Sequence, residues 1–167
     1  MSRIGMTMNI TGLDGTIGTL QSLPAEVVSK RGGPVKMALA RGARILRGYA
    51  KQNLRAAIAN APTTRSTGEL EKRVIASRGK APNGTKGERY LVRIKKKDYL
   101  NADGVRTNPL MTANLLEWGS SHQPATPWLR PAVMQHGGQI ITATRDDLTR
   151  RVDLAVKKLA AQNAGTR

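Results

Sequence analysis

A continuous apolar stripe between residues 34 and 59 constrains the fold of this chain more than any other sequence feature. Apolar residues recur there at steps of 4, 3, 4, 4 and 3, which keeps them on one face of an α-helix. They are Leu39, Ala43, Leu46, Ala50, Leu54 and Ala57. Pro34 suits the first turn of a helix and follows a Gly-Gly pair. The spacing predicts one long helix from Pro34 to about Ala59 that buries one side.

A second face of the same helix carries only positive charge. Its five cations, spaced 3, 3, 4 and 4, are Arg41, Arg44, Arg47, Lys51 and Arg55. The chain has no acid between Glu26 and Glu69, and like charges at these spacings repel one another. The stripe is therefore either a solvated face or a surface that meets an anion, and the lack of an acidic partner in this segment raises the second alternative.

The segments after this helix show the period-2 pattern of β-strands. Residues 70–77 form a short run that is β-branched in its middle. Residues 88–98 alternate apolar with cationic side chains, with Tyr90, Val92 and Ile94 set against Arg89, Arg93 and Lys95, and Lys96 and Lys97 follow. A glycine-rich connection at 79–87 joins them. It lacks the Gly-Lys-Ser/Thr ending of a phosphate-binding loop and is followed by a strand, so we predict a hairpin. Leu115 to Trp118 is predicted to be a short third strand that Gly119 ends.

The C-terminal part predicts a second helix. Pro131 is placed to open it, and a helical stripe continues to about Ala161, with Gly137-Gly138 expected to bend or fray its early part. Residues 1–24 are predicted to be an N-terminal arm with a short helix, residues 99–113 a long loop, and residues 162–167 a frayed tail. The predicted fold class is α+β: a small, mostly antiparallel sheet of three or four strands on a long central helix and a C-terminal helix.

The 167 residues are long enough for a single domain with one core. Aromatic residues make up only 3% of the chain and phenylalanine is absent, so the core must be built mainly from aliphatic residues and methionine. The chain has no cysteine, which excludes disulfides. It has neither a signal-peptide pattern nor an apolar run long enough for a membrane span.

The net charge of +17 is concentrated in one part of the chain. From Lys30 to Arg106 there are 20 bases and 5 acids, so +15 of the +17 lies there. The charge is well beyond the ~2–8 that a small domain needs for solubility. It is either a basic surface kept for solubility or, as the size of the excess favours, a surface that attracts polyanions such as nucleic acid or acidic protein surfaces.

The stretch EWGSSHQPATPWLRPA, residues 117–132, contains both tryptophans. Ser121 and His122 are adjacent on a predicted loop, which does not give the spatial arrangement of a nucleophile and an oriented base. The only other histidine is His136, too few for a histidine-rich metal site. The acids are scattered, apart from Asp146-Asp147 on what we expect to be an exposed helix face. These features predict a protein without catalysis, cofactor or metal.

A structural role suits this stretch better. Gly119 frees the backbone after the predicted strand, and Pro127 stiffens the connection to the second helix. Trp128 and Leu129 come just before that helix, where they can pack onto the sheet or onto a neighbour. Arg130 has a carboxylate candidate in Glu117. The stretch is therefore predicted to be a corner of the fold.

The order of these segments resembles the neck or tail-completion proteins of long-tailed double-stranded DNA bacteriophages. The pieces that carry the resemblance are Ile10-Thr11-Gly12-Leu13, Ala61-Pro62 with Gly68 and Leu70, Leu116-Glu117-Trp118-Gly119-Ser120, and Pro127-Trp128-Leu129-Arg130-Pro131-Ala132. Each piece is weak by itself, and the ordered set, over about residues 8–160, is more specific. Tryptophan stands where the family more often has phenylalanine, and the 99–113 segment is longer and more polar than the family pattern.

The resemblance implies a virion structural protein at the head-to-tail junction. Such proteins form rings around the DNA channel, six- or twelve-fold, between the connector or head-closure proteins and the tail tube. The alternative is a small basic DNA-binding protein, although the chain shows no helix-turn-helix or basic-zipper pattern. A membrane-surface binder is less suited to the sequence, because the basic helix has no interfacial tryptophan. The basic residues are predicted to face an acidic protein partner or packaged DNA.

Overall fold

The computed structural model describes residues 33–60, 68–80, 87–100 and 103–164 of the chain. In chain order the elements are α1 (Pro34–Ala59), α2 (Glu69–Arg73), β1 (Val74–Gly79), β2 (Arg89–Ile94), β3 (Tyr99–Leu100), β4 (Arg106–Thr107), α3 (Pro109–Trp118) and α4 (Leu129–Ala164). The α+β class is confirmed. The predicted arm at 1–24 and the last residues, 165–167, lie outside the described residues.

Helix α1 has the bounds that the sequence predicts. Proline occupies its first turn, where the missing N–H costs no hydrogen bond, and the Asn60 N–H closes its last turn on the Ala56 carbonyl. Leu54 and Ala50 of the predicted stripe are fully buried. Towards its N-terminus the buried residues are Ala38, Ala40 and Gly42 instead, so this half packs through small residues.

Helix α4 runs antiparallel to α1 along most of the length of α1. At one end the Asn53 side chain donates to the Trp128 carbonyl at 3.1 Å. At the other end Arg41 bonds Asp147 at 2.7 Å. The pairing brings the two long helices together as one layer, and β1 and β2 pack against α1.

Gly42 marks a close approach between these helices. A methyl group at Gly42 would overlap the Thr144 hydroxyl, which is already bonded to the Ile140 carbonyl at 2.7 Å. Gly48 lies on the same helix with nothing within 4 Å of the position a methyl group would take. The two glycines therefore differ in the space available for a Cβ atom, which Thr144 occupies at Gly42 and nothing occupies at Gly48.

We expect Gly42→Ala and Gly48→Ala to change stability in opposite directions. Overpacking should cost Gly42→Ala about 1–3 kcal/mol of unfolding free energy. Gly48→Ala should gain about 0.5–1 kcal/mol, because alanine loses less backbone entropy in a helix. Urea unfolding of both variants measures the difference, and equal effects at the two sites would contradict the close packing.

The strands form two antiparallel pairs rather than the single sheet of three or four strands that we predicted. Strand β1 pairs with β2 in a register that sets Val74 opposite Ile94, and β3 pairs with β4. The predicted strand at 88–98 is confirmed for Arg89–Ile94. The predicted strand at 70–77 is helical up to Arg73, because acids in its first turn and bases in its last suit the helix dipole.

The predicted third strand, Leu115 to Trp118, is wrong. These residues end helix α3, and the predicted 99–113 loop contains β3, β4 and the start of that helix. Asn108 caps α3 by accepting the Leu110 N–H at 2.9 Å, and Pro109 occupies the first turn. A short apolar run has no periodicity that separates strand from helix, and the cap and proline preceding it carried the signal that decides for helix.

Helix α4 begins at Leu129, two residues before the predicted start at Pro131. It remains helical through Gly137 and Gly138 and continues to Ala164, so neither the predicted fraying at the glycines nor the predicted end near Ala161 is found. Gly137 is buried and Gly138 is exposed within this continuous helix, although glycine has a weak helix propensity.

The core lies where α1, α2, β1, α3 and the start of α4 meet. Its buried members are Ala50, Leu54, Leu70, Val74, Ala113, Trp128 and Ala132. Apart from the single tryptophan it is built from small and aliphatic side chains, as the composition predicts, whereas the expected methionines are not among the described core residues. Trp128 supplies the largest ring to a core otherwise short of bulk, which makes the corner central to the fold.

Candidate functional site

The corner that joins α3 to α4 is built around the carboxylate of Glu117. Its Oε2 accepts the backbone N–H groups of Trp128 at 2.9 Å and Leu129 at 2.8 Å. Its Oε1 accepts the N–H of Arg130 at 2.9 Å. The next residue, Pro131, has no N–H, so one carboxylate satisfies every free donor in the first turn of α4. A negative charge there also suits the positive end of the helix dipole.

Arg130 closes the corner from the other side. Its Nε donates to Glu117 Oε1 at 3.1 Å, and its Nη2 donates to the Glu117 carbonyl at 2.8 Å. The pairing of Arg130 with Glu117 that the sequence suggested is confirmed. Burial raises the pKa of Glu117, but the hydrogen bonds from the three N–H groups and Arg130 outweigh it, so the pKa lies below its usual value.

Trp128 is buried in the protomer, with 3% of its surface exposed. Its indole Nε1 donates to the Ala113 carbonyl at 3.2 Å, which ties it to α3. Its own carbonyl accepts the Asn53 side chain of α1. Of the two roles the sequence left open for Trp128, core or interface, the structure assigns the core.

Trp118 has the opposite environment. The residue is 49% exposed, and the Arg130 guanidinium lies 4.2 Å from the centroid of its ring. This cation–π contact holds the ring at the surface through a side chain that Glu117 already fixes. The two tryptophans therefore have different roles, one in the core and one on the surface.

Gly119 provides the turn after α3. Its φ of 74° lies in the left-handed region that favours glycine. A methyl group there would come within 2.8 Å of the Gln123 carbonyl and the Ala125 nitrogen. The loop that follows is exposed at Ser121, His122 and Pro127, and the Ser120 hydroxyl accepts the His122 N–H, a bond typical of a turn.

The cationic stripe on α1 is not free of acidic partners, contrary to our expectation from the sequence. Arg41 bonds Asp147 at 2.7 Å, and Arg55 bonds Glu71 at 2.6 Å. The charge of Lys51 also contributes to lowering the pKa of Glu71. The acids were missed because they lie far away in the sequence, on α2 and α4. Among the described residues Arg44, Arg47 and Lys51 of the stripe form no ion pair, and Arg44 is exposed.

Asp147 is buried, whereas we expected Asp146-Asp147 to lie on an exposed face. Its carboxylate bonds Arg41, Arg150 at 2.8 Å and Arg151 at 2.6 Å. Arginines three and four residues after an aspartate were the sequence signal for this cluster. It ties α4 to α1 and concentrates three guanidinium groups on one charge. Hydrogen bonding, from Arg151 above all, lowers the pKa of Asp147 from 3.8 to about 2.

Stability should therefore fall in acid partly through Asp147. A lowered pKa means that the folded state holds the carboxylate ionised, so the contribution is present above pH 3.8 and is lost as pH falls towards 2. The full contribution is roughly 2 kcal/mol. Asp147→Asn should lower stability at neutral pH and flatten the acid side of the curve. Urea unfolding between neutral and acid pH tests this, with Asp146→Asn as control. An unchanged slope in Asp147→Asn would contradict it.

A second group of cations lies at the end of β2 and on the segment that follows it. Arg93, Lys95, Lys96 and Lys97 are all exposed, and the strand ends at Ile94, so the three lysines lie on the segment leading to β3. The Lys95 N–H bonds the Arg73 carbonyl at 2.9 Å, which fixes the start of this segment. The sequence placed all four cations on a strand, but the structure keeps only Arg93 in β2, and the three lysines lie beyond its end.

Within the ranges that the structure describes, no group of three or more acidic or histidine side chains is arranged to hold a metal ion. No helix in those ranges is long and apolar enough to cross a membrane. Comparison of the chain with protein-family models, curated proteins and solved structures finds no match.

Proposed function

We propose that this chain is a virion structural protein of a tailed bacteriophage, located at the head-to-tail junction. It would act without catalysis, as a six- or twelve-fold ring around the DNA channel that joins the head connector or head-closure protein to the tail tube. The support is the ordered set of motifs that resembles the neck and tail-completion family. The proposal places the protein in the neck or tail of the virion, after assembly in the host cytoplasm.

The observation that carries the proposal is the hydrogen bonding of Glu117. Its partners join two of the motifs, Leu116–Ser120 and Pro127–Ala132, through four bonds of about the same length. The glutamate of the first motif caps the helix that the second motif opens. There is thus a physical reason for these two motifs to occur together and in this order, which supports treating them as one unit of the resemblance.

The small number of unpaired cations on the α1 stripe favours an acidic protein partner over DNA. With Arg41 and Arg55 engaged inside the protomer, Arg44, Arg47 and Lys51 are left for a partner. Each cation that neutralises a DNA phosphate increases the affinity for DNA. A ring through which DNA must slide should therefore have few such contacts. A fixed acidic surface on a neighbouring neck or tail protein suits three cations on a rigid helix.

The test is a phage that carries this gene with Arg44, Arg47 and Lys51 changed to glutamate. We expect full heads and tails to accumulate separately, as seen by electron microscopy. Lys157→Glu with Lys158→Glu, two exposed cations on α4, is the matched control and should join normally. Normal joining with altered DNA retention would favour the DNA-facing alternative. Purified virions that lack the chain altogether would refute the proposed function.

A small basic DNA-binding protein is the second candidate, and the exposed cluster of Arg93, Lys95, Lys96 and Lys97 favours it. Such a protein would bind duplex DNA of any sequence, with log Kd changing by about 0.9 per phosphate contact per decade of salt. Replacing the four cations by glutamine should reduce that slope. A slope that these replacements leave unchanged would exclude the cluster as the DNA-binding surface.

A further inference from the structure

Helix α3 exposes an apolar face next to the corner. Met111, Leu115 and Trp118 are spaced by four and three residues, which places them on one side of the helix. Their exposed fractions are 66%, 38% and 49%. Leu110 on the same helix is also more than one-third exposed. We call Met111, Leu115 and Trp118 the α3 outer face.

The tryptophan in this face is held in place before any partner arrives. Glu117 fixes Arg130, and Arg130 lies over the Trp118 ring at 4.2 Å. An aromatic side chain with a fixed position loses little conformational entropy on binding. Exposed tryptophans of this kind are the residues most often found to dominate the affinity of an interface.

The charge of the surrounding sequence indicates which partner this face suits. The chain carries 28 bases in 167 residues, yet residues 107–129 contain none. The bases on α2, which packs against α3, are paired, since Lys72 and Arg73 both bond Glu69. Arg130 is paired with Glu117. An acidic partner would find no free cation on α3 itself.

We propose that the α3 outer face is the contact between copies of this chain. Two molecules of charge +17 repel each other, so they associate best through surface that carries no unpaired base. The inference deepens the ring of the proposed function and relies on that proposal for the ring itself. The contact between copies is a property of the isolated chain and is measured without the virion.

The experiment is sedimentation velocity on the purified full-length chain, from about 1 to 100 μM. We expect the average mass to rise above that of one chain with concentration, and to rise earlier in higher salt, which screens the repulsion. Leu115→Lys and Trp118→Ala should each shift the midpoint to at least about tenfold higher concentration. Met134→Lys is the matched control, because Met134 is 84% exposed on α4 and lies outside the face.

Thermal unfolding of each variant shows whether it is folded, and only folded variants are compared. A chain that stays monomeric over the whole range, or variants that associate as well as the parent, would overturn the inference. So would association that Met134→Lys weakens as much as Leu115→Lys does. These results leave the proposed function standing, whereas virions that lack the chain would refute the proposed function and leave self-association of the isolated chain unaffected.

Discussion

Replacing Glu117 by alanine is expected to lower the free energy of unfolding by about 3–5 kcal/mol. The carboxylate is 8% exposed and satisfies three backbone N–H groups together with the Arg130 side chain. Its removal leaves these donors without their acceptor at a buried helix start, and it leaves the guanidinium without its countercharge. Urea unfolding followed by circular dichroism measures the loss.

Glu117→Gln separates charge from hydrogen bonding at the same site. Glutamine keeps one acceptor oxygen, so the variant should retain part of the capping but lose the ion pair with Arg130. Because the pKa of Glu117 lies below its usual value, the parent should lose this contribution as pH falls below about 4.5, and Glu117→Gln should not. Asp146→Ala is the control, since that carboxylate is 63% exposed. A Glu117→Ala loss as small as that of Asp146→Ala would show that the carboxylate does not organise the corner.

Trp128→Ala should also cost about 3–5 kcal/mol, because a large buried ring is replaced by a cavity. The substitution removes the packing with Leu54 and Val74 in the core and the indole hydrogen bond to Ala113. We expect a lower urea midpoint and poor solubility on expression.

Trp118→Ala is the matched control for Trp128→Ala, since it removes the same side chain from the surface. Its effect on unfolding should stay below about 1 kcal/mol, the size of an exposed cation–π contact. The two variants should therefore differ: Trp128→Ala loses stability, whereas Trp118→Ala keeps the fold and loses self-association. Similar stability losses in both variants would contradict the assignment of Trp128 to the core and Trp118 to the surface.

The functional residues were predictable from the sequence where the decisive interactions are local or encoded in a motif. The pairing of Glu117 with Arg130 and the role of the corner followed from residues within fifteen positions of each other. The acidic partner of Arg41 could not be found in this way, because Asp147 lies 106 positions from it. The packing of α4 against α1 brings that pair together, and the charge pattern of α1 alone suggested an unpaired stripe.

The sequence by itself determined the helix from Pro34 to Ala59, the strand at Arg89–Ile94 and the α+β class. In each case a long periodic pattern or an alternation over six residues excludes other local structures. Only the tertiary structure decided that Leu115 to Trp118 is helical, that the strands form two separate pairs, and that one tryptophan is buried while the other is exposed. These features depend on which surfaces meet, and a one-dimensional pattern of apolar residues does not specify the partner of each face.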